Sequence, residues 1–224
     1  LILNYNSELL FAEKIILIEG DAERAIITSM MRKIDLLEGT NLLSQQIAII
    51  PVGNSIKSLV ESLQLMLFKK IVYFTDLDFA ENKVSDSGKH THSKVLTFDE
   101  AELSTNSTIK EVFLNNGEGF HDYFEKKEPY FSKLHPAFDN LKVFTQGWIN
   151  SVFLPNTLEP AILNASPNNS TLIDSDLESA AYTNDVSVNK VSFAFDTANA
   201  IDESDVTIPE YIKQGLKWLG EDKI

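Results

Sequence analysis

Lys14-Ile15-Ile16-Leu17-Ile18-Glu19-Gly20-Asp21-Ala22-Glu23 is the stretch on which the fold turns. Behind one lysine stand four apolar residues with no polar alternation, so both faces of the segment must be covered. That pattern belongs to a buried strand of a parallel sheet. The run stops at Glu19-Gly20. Ile26, Ile27, Met30, Met31 and Ile34 then recur at helical spacing and predict a helix over 22–37. Asp21 is the candidate N-cap, and Glu23 lies in the first turn, where a carboxylate suits the helix dipole.

Two further units follow downstream. Gln46-Ile47-Ala48-Ile49-Ile50-Pro51-Val52 predicts a second buried strand closed by Gly53, and 54–68 predicts a helix with Ile56, Leu59, Val60, Leu63 and Leu67 on one side. Residues 71–75 predict a third strand, ending at Asp76-Leu77-Asp78. Strand, helix, strand, helix, strand implies an α/β fold: a mostly parallel, Rossmann-like sheet with right-handed crossovers, flanked by helices. Chemistry in such sheets collects beyond the carboxyl ends of the strands. Glu19 follows the first strand there, Asp76 and Asp78 follow the third, and Glu23 lies one helical turn from Glu19. Carboxylates at those places suit hard divalent cations, and a pair of such ions can activate water and stabilise a leaving oxygen. Each acid alone has a local explanation. The signal is the combination of strand-Glu-Gly-x-x-Glu with a later strand-Asp-x-Asp.

The remaining sequence reads as further elements separated by insertions at about 79–106, 117–140 and 166–187, all within one domain spanning 1–224. The first insertion is polar, with a short strand expected at 94–98 and His90-Thr91-His92 as an exposed part of it. Ser104-Thr105-Asn106-Ser107-Thr108 precedes a helix at 108–114, which its hydroxyls are expected to cap. The aromatic stretch 120–138 could stack bases, but reads first as packing for a subdomain. Strands are expected at 143–144 and 152–154, and helices at 157–164, 189–201 and 209–219, the last with Pro209 in its first turn. The Asn/Ser-rich 166–187 reads as loop, with Asp174-Ser175-Asp176 a solvated acidic stretch.

Composition sets the outer limits. The chain has 224 residues, 43% of them hydrophobic, enough for one sizeable core. It has no cysteine, which excludes disulfides and thiolate metal sites and makes a cytoplasmic setting the expectation. No apolar run is long enough for a membrane span. The chain begins with Leu1, which reads as a fragment. A net charge of -14 argues against a simple phosphate-binding surface. Either no polyanion is bound, or part of the acidity belongs to a cluster that divalent ions neutralise.

Ile16-Leu17-Ile18-Glu19-Gly20-Asp21-Ala22-Glu23, Phe74-Thr75-Asp76-Leu77-Asp78 and the intervening Ile50-Pro51-Val52-Gly53 together resemble the Toprim domain. Asn156-Thr157-Leu158-Glu159, Asn189-Lys190-Val191-Ser192-Phe193-Ala194 and Ile208-Pro209-Glu210-Tyr211-Ile212, in that order, resemble the OLD (overcoming lysogenization defect) endonuclease branch. The resemblance implies that Glu19, Glu23, Asp76, Asp78 and Glu159 bind one or two Mg2+ or Mn2+ ions, that Glu19 also serves as a base, and that Lys190 stabilises charge on the phosphate. It implies a nuclease hydrolysing phosphodiester bonds of DNA, in bacterial or anti-phage defence, working with the ATPase domain of a full-length protein and as a homo-oligomer, with no membrane partner. The family's N-terminal ATPase is not in this sequence: Ser87-Gly88-Lys89-His90 lacks the spacing and ending of a phosphate-binding loop. Two other readings stay open, a non-catalytic Toprim module for dimerisation or ATPase docking, and a topoisomerase-like or primase-like relative.

Overall fold

Alternation along the first strand divides the interior into two cores. In the computed structural model, which describes residues 7–53, 56, 68–84, 90–173 and 182–221, strand β1 (Lys14–Ile18) is buried end to end. Ile16 and Ile18 enter one core while Ile15 and Leu17 enter the other, as successive side chains of a strand must. Strands β2 (Ile47–Pro51) and β3 (Lys70–Phe74) flank β1 in parallel register, Ile16 lying opposite Ile49 on one side and Val72 on the other. In β3, Val72 and Phe74 face the first core, Ile71 and Tyr73 the second.

Between β1 and β2 runs helix α1 (Asp21–Glu38), whose Ile26, Ile27, Met30, Met31 and Ile34 are buried as the spacing requires. Gly39 ends it in the left-handed region, φ 68°, with its N–H on the Asp35 carbonyl. The Asp35 carboxylate accepts the backbone N–H groups of Leu42 and Leu43. The helix expected over 54–68 falls outside the described residues except at Ile56 and Phe68, both buried in the second core.

Beyond β3 the chain leaves the main sheet. Strands β4 (Phe79–Val84), β5 (His90–Lys94) and β6 (Leu103–Ser104) form a small antiparallel sheet in the order β5-β4-β6. The strand expected at 94–98 is therefore displaced to 90–94, where pairing with β4 sets the register from Val84–His90 to Ala80–Lys94. Short helices α2 (Ser107–Val112) and α3 (Phe120–Phe124) follow. Phe120, Phe124 and Phe131 enter the second core, so these aromatics of 120–138 pack and do not stack bases. Strand β7 (Tyr130–Leu134), inside what reads as an insertion, returns antiparallel to β8 (Leu141–Gln146) and completes the five-stranded order β2-β1-β3-β8-β7.

No named strand forms at 152–154. Asn150 and Ser151 both take positive φ and turn the chain tightly, leaving an isolated bridge between Ile149 and Phe153. Helices α4 (Leu158–Asn164), α5 (Asn169–Ile173), α6 (Lys190–Glu203) and α7 (Glu210–Gly220) finish the chain and cover the first core, with α6 packed along α1. Helix α5 stands in the stretch read as loop. Its polar Asn169 is fully buried because both ends of its amide are paired, with the Ile162 and Thr207 carbonyls and the Thr207 N–H. No helix among the described residues is long and apolar enough to cross a membrane.

Candidate metal centre

The chain goes from β1 to β2 on one side and then crosses to β3 on the other. The crevice where an open sheet binds ligands lies at that reversal, beyond the carboxyl ends of β1 and β3. Glu19 is the first residue past β1. Its Oε1 accepts hydrogen bonds from Thr75 Oγ1 at 2.7 Å and the Asp76 N–H at 2.9 Å, with Asn106 Nδ2 at 3.0 Å. These donors hold the carboxylate in one orientation. Glu23 Oε2 accepts the Glu19 N–H at 3.1 Å, one helical turn back. Asp21 is not the N-cap. Gly20 occupies that position and, having no side chain, offers no cap, while the Glu23 carboxylate reaches back to the Glu19 N–H.

Asp76 is buried, 9% exposed, at the end of β3. Its Oδ1 accepts from Gln146 Nε2 at 2.6 Å, across from the neighbouring end of β8. Asp78 adopts φ 48°, a left-handed turn that aspartate tolerates. The turn is clamped from two sides. Leu77 and Asp78 donate their N–H groups to the Asn156 carbonyl at 3.0 and 3.2 Å, and the Asp78 carbonyl accepts from Thr105 N–H at 3.0 Å. Asn156 leads directly into α4, whose first turn carries Glu159. Lys190 opens α6 behind the Asn189 cap, and its Nζ lies 3.5 Å from Glu159 Oε1.

Electrostatics tie the five acids together. Burial raises the Asp76 carboxyl well above its usual range, and the charges of Glu19, Glu23, Glu159 and Asp78 push it in the same direction. Glu23 is raised to about 7, first by burial and then by Glu19, with Glu159 adding to it. Asp78 is raised by burial and Glu19, against which Lys94, Asn106 and Lys190 act. Lys190 is raised chiefly by Glu159, with Asp76 and Glu23 contributing. Asp76 thus lies within the field of the other four acids predicted from sequence, and Lys190 within that of Glu159, Asp76 and Glu23. As oriented, however, no three His, Asp or Glu side chains among the described residues stand close enough to hold an ion. Their oxygens are engaged with Thr75, Asn106, Gln146 and backbone N–H groups, and like charges hold carboxylates apart. The donor set fits a hard divalent cation in kind: it is all oxygen, and the raised proton affinity of Glu23, Asp76 and Asp78 is what a nearby cation would relieve.

Several participants carried little signal in the sequence. Asn106 sits in the pentapeptide whose hydroxyls were expected to cap α2. Its amide does the capping, Oδ1 accepting the Thr108 N–H at 3.0 Å, while Nδ2 turns to Glu19 and to the Asp76 carbonyl. Gln146 could have been found only by its place at the carboxyl end of a parallel strand. Tyr211 Oη, buried at 3.4 Å from Gln146 Nε2, continues that chain of contacts. His90 and His92 are exposed on β5. Asp174-Ser175-Asp176 lies outside the described residues.

Residues 10–78 match the family described as overcoming lysogenization defect protein-like, TOPRIM domain. No curated protein matches the chain. Among solved structures, the C-terminal region of the Burkholderia pseudomallei OLD protein is 20% identical, covering 93% of this chain and 97% of that one, with a TM-score of 0.49. The C-terminal region of the Xanthomonas campestris pv. campestris OLD protein is 18% identical, covering 95% and 94%, with a TM-score of 0.47. The matched stretch holds Glu19, Glu23, Asp76 and Asp78, and it is over those residues that the chain is similar to the OLD-like Toprim family.

Proposed function

We propose that this chain is the metal-dependent phosphodiesterase centre of an OLD-like DNA nuclease, acting in bacterial or anti-phage defence beside an ATPase domain and as a homo-oligomer. The observation that carries the reading is Asp76, buried at the reversal of the sheet within the fields of Glu19, Glu23, Asp78 and Glu159. Those five residues would hold one or two Mg2+ or Mn2+ ions. Such ions polarise a phosphoryl oxygen and make water nucleophilic near neutral pH.

The protein groups have separate tasks. Thr75, Asn106 and the Asp76 N–H fix the Glu19 carboxylate so that it can take a proton from the attacking water. Lys190, drawn toward the cluster by Glu159, supplies positive charge to the phosphate as negative charge grows on its oxygens. Gln146 holds Asp76 in place from the neighbouring strand. Plasmid nicking in Mg2+, Mn2+ or EDTA tests the reading, with Asp78→Ala as the control. Cleavage that needs the ion and disappears in Asp78→Ala is expected, and equal nicking by both proteins would refute it.

A second reading has its own observation. Leu36 and Leu37, near the end of α1, are 81% and 70% exposed, which favours a docking module for another domain. Mn2+ titration separates the two, because a docking module need not bind the ion through Asp76 and Asp78.

A further inference from the structure

We infer that the aromatic groove beside the acidic centre binds an unpaired nucleobase, so that the strand to be cut is engaged with at least one base out of its duplex. This rests on the reading of the substrate as nucleic acid. The groove is a cavity of about 580 Å³ between 96–99, 152–154 and 182–185. Tyr182 lies on one wall, 44% exposed and 5.8 Å from the Phe153 ring. Trp148 lies deeper, fixed by its Nε1 donating to the Phe124 carbonyl at 2.7 Å and by an edge contact with Phe98. Lys127 Nζ lies over the Trp148 ring. Tyr182 is the exposed ring of the lining, backed by the buried Trp148 and Phe153, and with Thr183 and Asp185 beside it to meet a polar edge it offers what a base requires.

Backbone geometry gathers at the same place. Five described residues other than glycine take positive φ. One is Asp78 at the acidic centre. Lys127 and Tyr182 line the groove, Ser151 precedes the lining residue Val152, and Asn150 donates to Tyr182 Oη at 3.0 Å. Such conformations persist where surrounding structure enforces them, and they concentrate at binding sites.

The groove and the acidic centre share one hydrogen-bonded wall. Asn184 Nδ2 donates to the Leu96 and Leu154 carbonyls, and its Oδ1 accepts the Asn156 N–H at 2.9 Å. The Asn156 carbonyl in turn holds the Asp76–Asp78 turn. The Asn156 side-chain amide is fully buried, and neither its Nδ2 nor its Oδ1 has a partner among the described residues.

Charge selects an unpaired base over a duplex. At -14 the chain cannot grip a duplex by neutralising phosphates. Stacking does not depend on that charge, and the faces it needs are hidden in paired DNA. Among the described residues Lys127 is the one cation in the groove lining, which also holds Asp99 and Asp185. Binding should therefore depend weakly on salt, with a log–log slope of about -0.7, the value for one phosphate contact on a single strand.

The test uses the 224-residue chain carrying Trp218→Phe, which leaves Trp148 as the sole tryptophan. Short oligothymidine, blunt duplex of equal length and an apolar peptide are titrated in EDTA, reading Trp148 emission and anisotropy. Oligothymidine should quench Trp148, and Tyr182→Ala should weaken its binding roughly tenfold or more, the usual contribution of one stacked base. Tyr182→Phe should retain binding. Val152→Glu, at an exposed lining position, should weaken it as Tyr182→Ala does and guards against a folding defect in that variant. Asp78→Asn, which tolerates the same left-handed turn, should bind oligothymidine normally while failing to nick plasmid, so loss of cleavage and loss of base binding are read separately. If oligothymidine binds but the wild-type chain never cleaves, the nuclease reading fails and the groove stands. Unchanged binding in folded Tyr182→Ala and Val152→Glu, equal binding of blunt duplex, or quenching by the peptide alone would overturn the inference.

Discussion

Gln146 Nε2 donates to Asp76 Oδ1 at 2.6 Å, joining the carboxyl ends of two adjacent parallel strands, β8 and β3. Both side chains are buried, and the next contact of the amide is the Tyr211 hydroxyl. Gln146→Met keeps the shape but removes the donor. Outer groups that orient metal ligands typically contribute 10–100-fold to affinity, so Mn2+ binding should weaken by about that factor. Stability should fall by roughly 1–3 kcal/mol, the cost of a buried acceptor left unpaired. Calorimetric Mn2+ titration and urea unfolding check the two. Unchanged Mn2+ affinity would remove Gln146 from the site.

Glu23 predicts how stability varies with pH when no divalent ion is present. Its carboxyl is raised from the ordinary 4.5 to about 7 by burial and by Glu19. A raised pKa means that the folded state holds the proton more tightly than the unfolded state. Its stabilising contribution is therefore complete below about 4.5 and is lost as pH rises through about 7. Asp76 and Asp78, also raised, act in the same direction. In EDTA the melting temperature should fall between pH 5 and pH 8, Glu23→Gln should flatten part of that slope, and Mn2+ should restore stability at pH 8. An identical slope in Glu23→Gln would show that the strain lies elsewhere.

Lys190 is 73% exposed and pairs with Glu159 at 3.5 Å. Exposed pairs contribute about 1 kcal/mol or less, so Lys190→Ala should melt almost as the wild type does. Mn2+ affinity should hold, because an ammonium is not a ligand. Nicking should drop by about 100-fold or more, as when one stabiliser of transition-state charge is removed. Lys190→Arg should rescue poorly, since a planar fork does not replace a compact charge. Wild-type nicking by Lys190→Ala would leave the helix a purely structural role.

Gly215 links packing to the centre. A Cβ there would stand 2.3 Å from Phe74 Cε1 and 2.6 Å from Cζ, and Phe74 ends the strand that delivers Thr75 and Asp76. Alanine gains about 1 kcal/mol of helix propensity, but overpacking costs about 1–3 kcal/mol. Gly215→Ala should therefore lower stability by up to about 2 kcal/mol and reduce nicking beyond the loss of folded protein. Nicking that tracks the folded fraction alone would separate Phe74 from the placement of Asp76.

Local pattern was enough to find β1, α1, β2 and β3, because a wholly apolar strand and a helix-period stripe are written in consecutive residues. It was also enough to set Glu19, Asp76 and Asp78 just past the strand ends, with Glu23 in the first turn of α1. Tertiary structure alone decided what surrounds them. Asn106 and Gln146 reach Glu19 and Asp76 from positions 87 and 70 residues away in the chain, and no local preference marks a glutamine at the end of β8 as a partner for Asp76. The same holds for β7, an edge strand inside a stretch that reads as insertion, and for Asn169, a polar residue buried because folding brings Ile162 and Thr207 to its amide. Burial of a polar group depends on which partners folding assembles around it. Those partners are distant in sequence, so short-range periodicity cannot encode them.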